Sequence, residues 1–103
     1  MHNVRSLDTM AKFFVREAFE IPDRRIFVLA GEIVEGEVHP GMFVRIPWNS
    51  EIGMRLLIDS IEFVRRQNGE DVCLCIRSGP SFVNVLDGLN FADETFEVST
   101  EGI

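Results

Sequence analysis

The fold is decided by the stretch Ile26-Phe27-Val28-Leu29-Ala30-Gly31-Glu32-Ile33-Val34-Glu35-Gly36-Glu37-Val38-His39-Pro40-Gly41. Its first part is a β-branched and aromatic run of strand length, and no 3.6-residue apolar period runs through it. Glycines recur at equal spacing, at positions 31, 36 and 41. Glu35-Gly36 and Pro40-Gly41 read as two tight turns in which glycine supplies positive φ, on either side of a short strand at 37–39. Gly31 is of another kind. It lies inside a strand, where glycine marks a bulge, a sharp bend or a close backbone approach, and each of these curls a sheet. A curled sheet suggests a barrel.

Outward from this stretch the same grammar continues. Residues 12–20 form an earlier strand that ends at Ile21-Pro22-Asp23-Arg24-Arg25, where proline removes a ladder donor and aspartate favours a turn. Further strands are expected at 42–48, at 54–64, at 72–76 and at 95–99. The apolar phase of the 54–64 run changes near Asp59-Ser60, which marks a second bulge. Asn68-Gly69 is a strong turn signal, and a loop from Ser78 leads to Val85-Leu86. The expected fold is therefore all-β: a small closed antiparallel β-barrel of six main strands, seven with the short one. At 103 residues the chain is one domain, with residues 1–10 left unassigned.

Composition narrows the function classes. Ten Lys and Arg stand against 17 Asp and Glu, for a net charge of −7, which disfavours non-specific binding to nucleic acid or to an acidic membrane. No stretch approaches the roughly 20 apolar residues of a membrane helix. The N-terminal MHNVRSLD lacks the basic-then-apolar layout of a signal peptide, so a cytoplasmic protein without membrane contact is expected. Cys73 and Cys75 lie two apart in a strand, on one face at roughly 7 Å, too far for an easy disulfide. They read as reduced thiols. With His2 and His39 the only imidazoles, no closed zinc site is expected, no cofactor is implied, and no catalytic residue suggests itself.

The runs Phe13-Phe14-Val15-Arg16-Glu17-Ala18-Phe19-Glu20-Ile21 and Phe27 through Ile46, with the three glycines, Ile61-Glu62-Phe63, Gly69-Glu70 and Leu86, resemble the second, β-barrel domain of the translational GTPases, elongation factor Tu and its relatives. The resemblance covers most of the chain and implies a barrel of that type standing alone, without the GTPase domain. Nothing matches the phosphate loop: Gly31 and Gly36 have its separation, but Glu37-Val38 follow where Lys and Ser or Thr are required. GTP is not expected as a ligand of this chain.

In that family the domain helps hold the aminoacylated 3′ end of tRNA. The resemblance carries the pocket over onto Arg24 or Arg25 in the first turn, which is one residue longer here, and onto Glu62, Arg65 and Asp71. Asp71 departs from the pattern by placing a carboxylate where an amide would donate. Arginine planes stack on bases and pair with phosphate, and a carboxylate accepts from a ribose hydroxyl. Trp48 and Phe82, in polar loops, read either as interface anchors or as plugs of the barrel mouths. Three functions follow as expectations. The first is a non-catalytic module that contacts a protein or ribonucleoprotein partner. The second is direct binding of an RNA 3′ end through Arg25, Glu62 and Arg65. The third is a structural or self-associating subunit docking through the loop aromatics.

Overall fold

The computed structural model describes residues 10–47, 53–77 and 92–100. Seven strands are defined: β1 (Met10–Ile21), β2 (Ile26–Glu35), β3 (Phe43–Pro47), β4 (Gly53–Leu57), β5 (Ser60–Arg66), β6 (Gly69–Arg77) and β7 (Glu94–Ser99). A single 3-10 turn, Pro22–Arg24, joins β1 to β2. All seven belong to one antiparallel sheet in the order β4-β3-β7-β1-β2-β6-β5, curled into a half-barrel. Among the described residues no helix is long and apolar enough to cross a membrane.

Alternation in sequence becomes alternation in burial. Ala11, Phe13 and Val15 of β1 point inward, as do Phe27 and Leu29 of β2, Val44 and Ile46 of β3, Leu74 and Ile76 of β6, and Phe96 and Val98 of β7. With Val38, Met42, Leu56 and Ile58 they form the main core on the concave face. Burial of this apolar surface is the dominant stabilising term. The central strands β2 and β6 are buried on their other face too, where Val28, Ala30, Cys73 and Cys75 form a second cluster against Ile21 and Ile26.

Gly31 sits opposite a bulge. The β1–β2 register runs Val15↔Gly31 and then Glu17↔Ala30, so Arg16 is the extra residue. A Cβ at Gly31 would overlap the carbonyl oxygen of Phe14 and stand 3.0 Å from the amide nitrogen of Arg16. The glycine thus marks a bulge, carried by the neighbouring strand β1, and a close approach of two backbones. A second irregularity leaves Val34 without a partner in the ladder, between the pairs Lys12↔Glu35 and Phe13↔Ile33. Gly36 and Gly41 have φ of 78° and 96°, as their turns require.

Three expectations need correction. The short strand at 37–39 does not form. Its backbone is spent locally: the His39 carbonyl accepts from the Met42 amide at 3.2 Å, closing a turn around Pro40 and Gly41, and proline offers no donor for a ladder. The single run at 54–64 is two strands, β4 and β5, parted at Ile58-Asp59, next to where the apolar phase changes. The phase changes because the chain changes partner. The Ile58 amide bonds the Met42 carbonyl at 2.9 Å and the Ile58 carbonyl accepts from Gly41 at 2.9 Å, whereas the Asp59 amide bonds the Cys75 carbonyl at 2.8 Å. The two outermost strands of the sheet are thus consecutive in sequence, and this two-residue step ties one edge region to the other. The hairpin between β5 and β6 turns at Gln67-Asn68, one residue earlier than Asn68-Gly69. Val85-Leu86 lies outside the described residues.

Candidate functional site

The residues of the expected RNA-end pocket fall into two groups. Arg24 and Arg25 are exposed at the tip of the β1–β2 hairpin, where Arg25 takes a φ of 53°. This tip adjoins the end of β6, since Ile26 pairs with Arg77. Glu62, Arg65 and Asp71 lie in the β5–β6 hairpin, with Val64 opposite Asp71 and Arg65 opposite Glu70. Six residues along β6 separate Arg77 from Asp71, a distance of about 20 Å at the rise of a strand. The fold brings Glu62, Arg65 and Asp71 into one hairpin and leaves Arg24 and Arg25 at the far end of it.

Even within the hairpin the group divides. Side chains alternate along a strand, so Glu62 shares a face with Val64 and Arg66 while Arg65 points with Ile61 and Phe63 to the other. Asp71 shares the Glu62 face and is 7% exposed. Its Oδ2 accepts from Nη1 of Arg66 at 3.0 Å, and its Oδ1 lies 3.9 Å from Nη1 of Arg16. The carboxylate that replaces an amide is therefore engaged in structure: it anchors the bulged Arg16 of β1 and Arg66 of β5 from its place on β6. Arg16 and Arg66 were not singled out in the sequence. Arg66 was legible, being four residues from Glu62 and so on its face. Arg16 depends on a bulge whose position only the register reveals.

A second constellation, also absent from the sequence reading, lies on the convex face of β4-β3-β7-β1. The ladder pairs Arg55 with Arg45, Arg45 with Glu97, Glu97 with Lys12, and Lys12 with Glu35. All five are exposed, and they form one transverse row over the core residues Leu56, Val44, Val98 and Ala11. Lys12 reaches Glu35 at 3.9 Å. Among the described residues neither Arg45 nor Arg55 enters an ion pair. The adjacent row sets Leu57, 50% exposed, opposite half-buried Phe43, and the guanidinium of Arg55 lies 5.9 Å from the centre of the Phe43 ring, within cation–π range. The Arg45–Arg55 pair follows from the β3–β4 register, which the sequence did not specify.

Cys73 and Cys75 are free and buried. Burial pushes the Cys73 thiol above its ordinary range, and the nearby Cys75, Asp71, Glu62 and Glu17 add to the effect by disfavouring a further negative charge. The thiolate is the nucleophile, so modification of native protein by a disulfide reagent at pH 8 is expected to run at least about 100-fold slower than after unfolding in urea. Native thiols reacting as fast as unfolded ones would show this face to be open. A raised pKa also fixes a sign. The neutral thiol is favoured in the fold, so its contribution to stability is complete below the unfolded pKa and is lost as pH rises beyond about 9.

Trp48 and Phe82, the candidate interface aromatics, lie outside the described residues, as does His2. Among the described residues no group of three or more His, Cys, Asp or Glu side chains is placed to hold a metal ion. The chain matches no protein-family model, and no curated protein or solved structure matches it.

Proposed function

We propose that the chain is a non-catalytic binding module, a closed barrel of the translation-factor type acting in the cytoplasm, and that it seats the RNA of a ribonucleoprotein partner on the convex face of β4-β3-β7-β1. The observation that carries this reading is the Arg45–Arg55 pair. Like charges directly opposite one another in a sheet are destabilising, and here they stand together in a protein of net charge −7. A phosphate between the two guanidinium groups would remove the repulsion and satisfy donors suited to bidentate contact. Phe43 and Leu57 alongside offer apolar surface for a base, as single-strand binders do. The two free thiols fit a reducing compartment.

Binding of an RNA 3′ end through Arg25, Glu62 and Arg65 would require the ligand to reach both ends of β6 and both faces of β5, and the arrangement gives that reading no support. Anisotropy of fluorescein-labelled single-stranded RNA at low salt separates the two. Arg45→Ala with Arg55→Ala is expected to weaken binding at least tenfold and to reduce the slope of log K against log salt by about 0.7 per arginine lost. Each change relieves a like-charge contact, so the variant stays folded. Loss of binding in Arg65→Ala with Arg45 and Arg55 indifferent would transfer the site to the β5–β6 hairpin. Wild-type protein that leaves the RNA free at low salt would end the RNA reading.

A further inference from the structure

Among the described residues β5 is the terminal strand on its side of the sheet, paired with β6 alone. An open edge presents a row of backbone donors and acceptors, and proteins ordinarily blunt it with a short strand, a bulge, proline or charge. β5 carries charge at Glu62, Arg65 and Arg66 but has neither bulge nor proline; it is a regular seven-residue strand, Ser60–Arg66, and at its middle Phe63 is 64% and Val64 48% exposed. Both are among the exposed large apolar side chains of the described residues, and they are consecutive on this edge strand, one on each face.

The charges around them are self-complementary. Consider a second copy of β5 laid antiparallel along this edge with a two-fold axis through Val64, perpendicular to the sheet. Such an axis keeps every side chain on its own face, because it pairs only positions of the same parity. Val64 then faces Val64 of the second copy, Glu62 faces Arg66, and Phe63 faces Arg65. The isologous symmetry makes each of the last two contacts twice. Centring on Phe63 would set Glu62 against Val64 and Ile61 against Arg65. Centring on Arg65 would oppose two arginines directly. Among these registers only the one through Val64 aligns opposite charges and places a guanidinium against the phenyl ring. Arg66 can serve both partners, since its bond to Asp71 leaves its side chain 43% exposed, and Glu62 has no ion-pair partner among the described residues.

We infer that the free edge of β5 pairs antiparallel with β5 of a second copy of this chain, in the register centred on Val64, to give a two-fold symmetric dimer with a continuous sheet. A contact confined to one strand edge buries less than the roughly 1,200 Å² of a stable interface, so the dimer is weak and reversible. Its surface is distinct from the Arg45–Arg55 face, and its fate is independent of RNA binding.

Sedimentation of the whole chain between about 10 µM and 1 mM, with far-UV circular dichroism as the check on folding, tests the inference. The wild-type mass is expected to rise from monomer toward dimer across this range. Val64→Arg, at an exposed position, sets two guanidinium groups against each other on the two-fold axis and is expected to leave a folded monomer throughout. Glu62→Arg alone and Arg66→Glu alone are each expected to be monomeric, and an equimolar mixture of the two to dimerise, because each Arg then meets a Glu of the other variant. A wild-type mass that stays monomeric at 1 mM overturns the inference. So does a dimer that survives Val64→Arg, or folded charge variants that fail to associate when mixed.

Discussion

Gly31→Ala is expected to abolish cooperative folding, or to lower stability by at least about 4 kcal/mol, a loss in the exceptional class for a single methyl group. The cause is space. The added Cβ would coincide with the Phe14 carbonyl oxygen and approach the Phe14 carbonyl carbon to 2.9 Å, and all of these are backbone atoms that no rotamer change can move aside. Relief would need β1 and β2 to separate where Arg16 bulges, at the centre of the longest pairing in the sheet. Against a total stability of about 5–15 kcal/mol for a domain of this size, such a cost leaves little margin. Gly41→Ala supplies the contrast. Nothing lies within 4 Å of a Cβ there, so the cost is the backbone strain of a left-handed conformation alone, about 1–2 kcal/mol. Urea titration of the two variants checks both values. A Gly31→Ala protein that unfolds near the wild-type midpoint would mean that the two strands are not in this register.

Ile58→Ala is expected to cost about 2–5 kcal/mol, the range for emptying a fully buried aliphatic site. Ile58 is 1% exposed and belongs to the main core, and its backbone is bonded on both sides of the peptide, to Gly41 and Met42. The side chain therefore fills the core at the step between β4 and β5, while the next amide, that of Asp59, is bonded to β6. Truncation should loosen this seam before it loosens the β1–β2 ladder. Amide exchange would show the difference: protection at Ile58 and Asp59 should fall further in the variant than protection at Leu29 or Val28. Equal losses at all four would indicate that the seam has no separate stability and that the sheet opens only as a whole.

Much of this architecture is legible in the residues, and the failures have a common source. The strands around Phe13, Leu29, Val44, Leu74 and Val98 can be read because period-2 alternation and glycine or proline punctuation are local signals. Gly31 could be assigned to a bulge or close approach for the same reason. The failed strand at 37–39 has alternating residues, but Pro40 and the His39–Met42 turn remove the partners a ladder needs. Information about which strand lies beside which is not local. The run through Ile58 and Asp59 reads as one strand until its two halves are seen to bond to β3 and to β6. The residues expected to share a pocket, Arg25, Glu62, Arg65 and Asp71, are set apart at two scales. The placing of Arg25 beside the Arg77 end of β6, about 20 Å along the strand from Asp71, follows from long-range register, whereas the opposite facing of Glu62 and Arg65 follows from their odd spacing and was available in the sequence.

The place of β7 has a temporal meaning. It pairs with β1 on one side and β3 on the other, so residues 94–99 are the only described strand joining β4-β3 to β1-β2-β6-β5. During synthesis the hairpins β1–β2, β3–β4 and β5–β6 can form as they emerge, since each closes a short loop. The two half-sheets they build have no ladder between them until β7 leaves the ribosome and slides into the gap. Until then the inward faces of Phe13 and Val44 stay open to other nascent chains. The described sheet is thus completed by insertion at its middle, and the last of its seven strands to be translated decides whether the earlier ones remain folded.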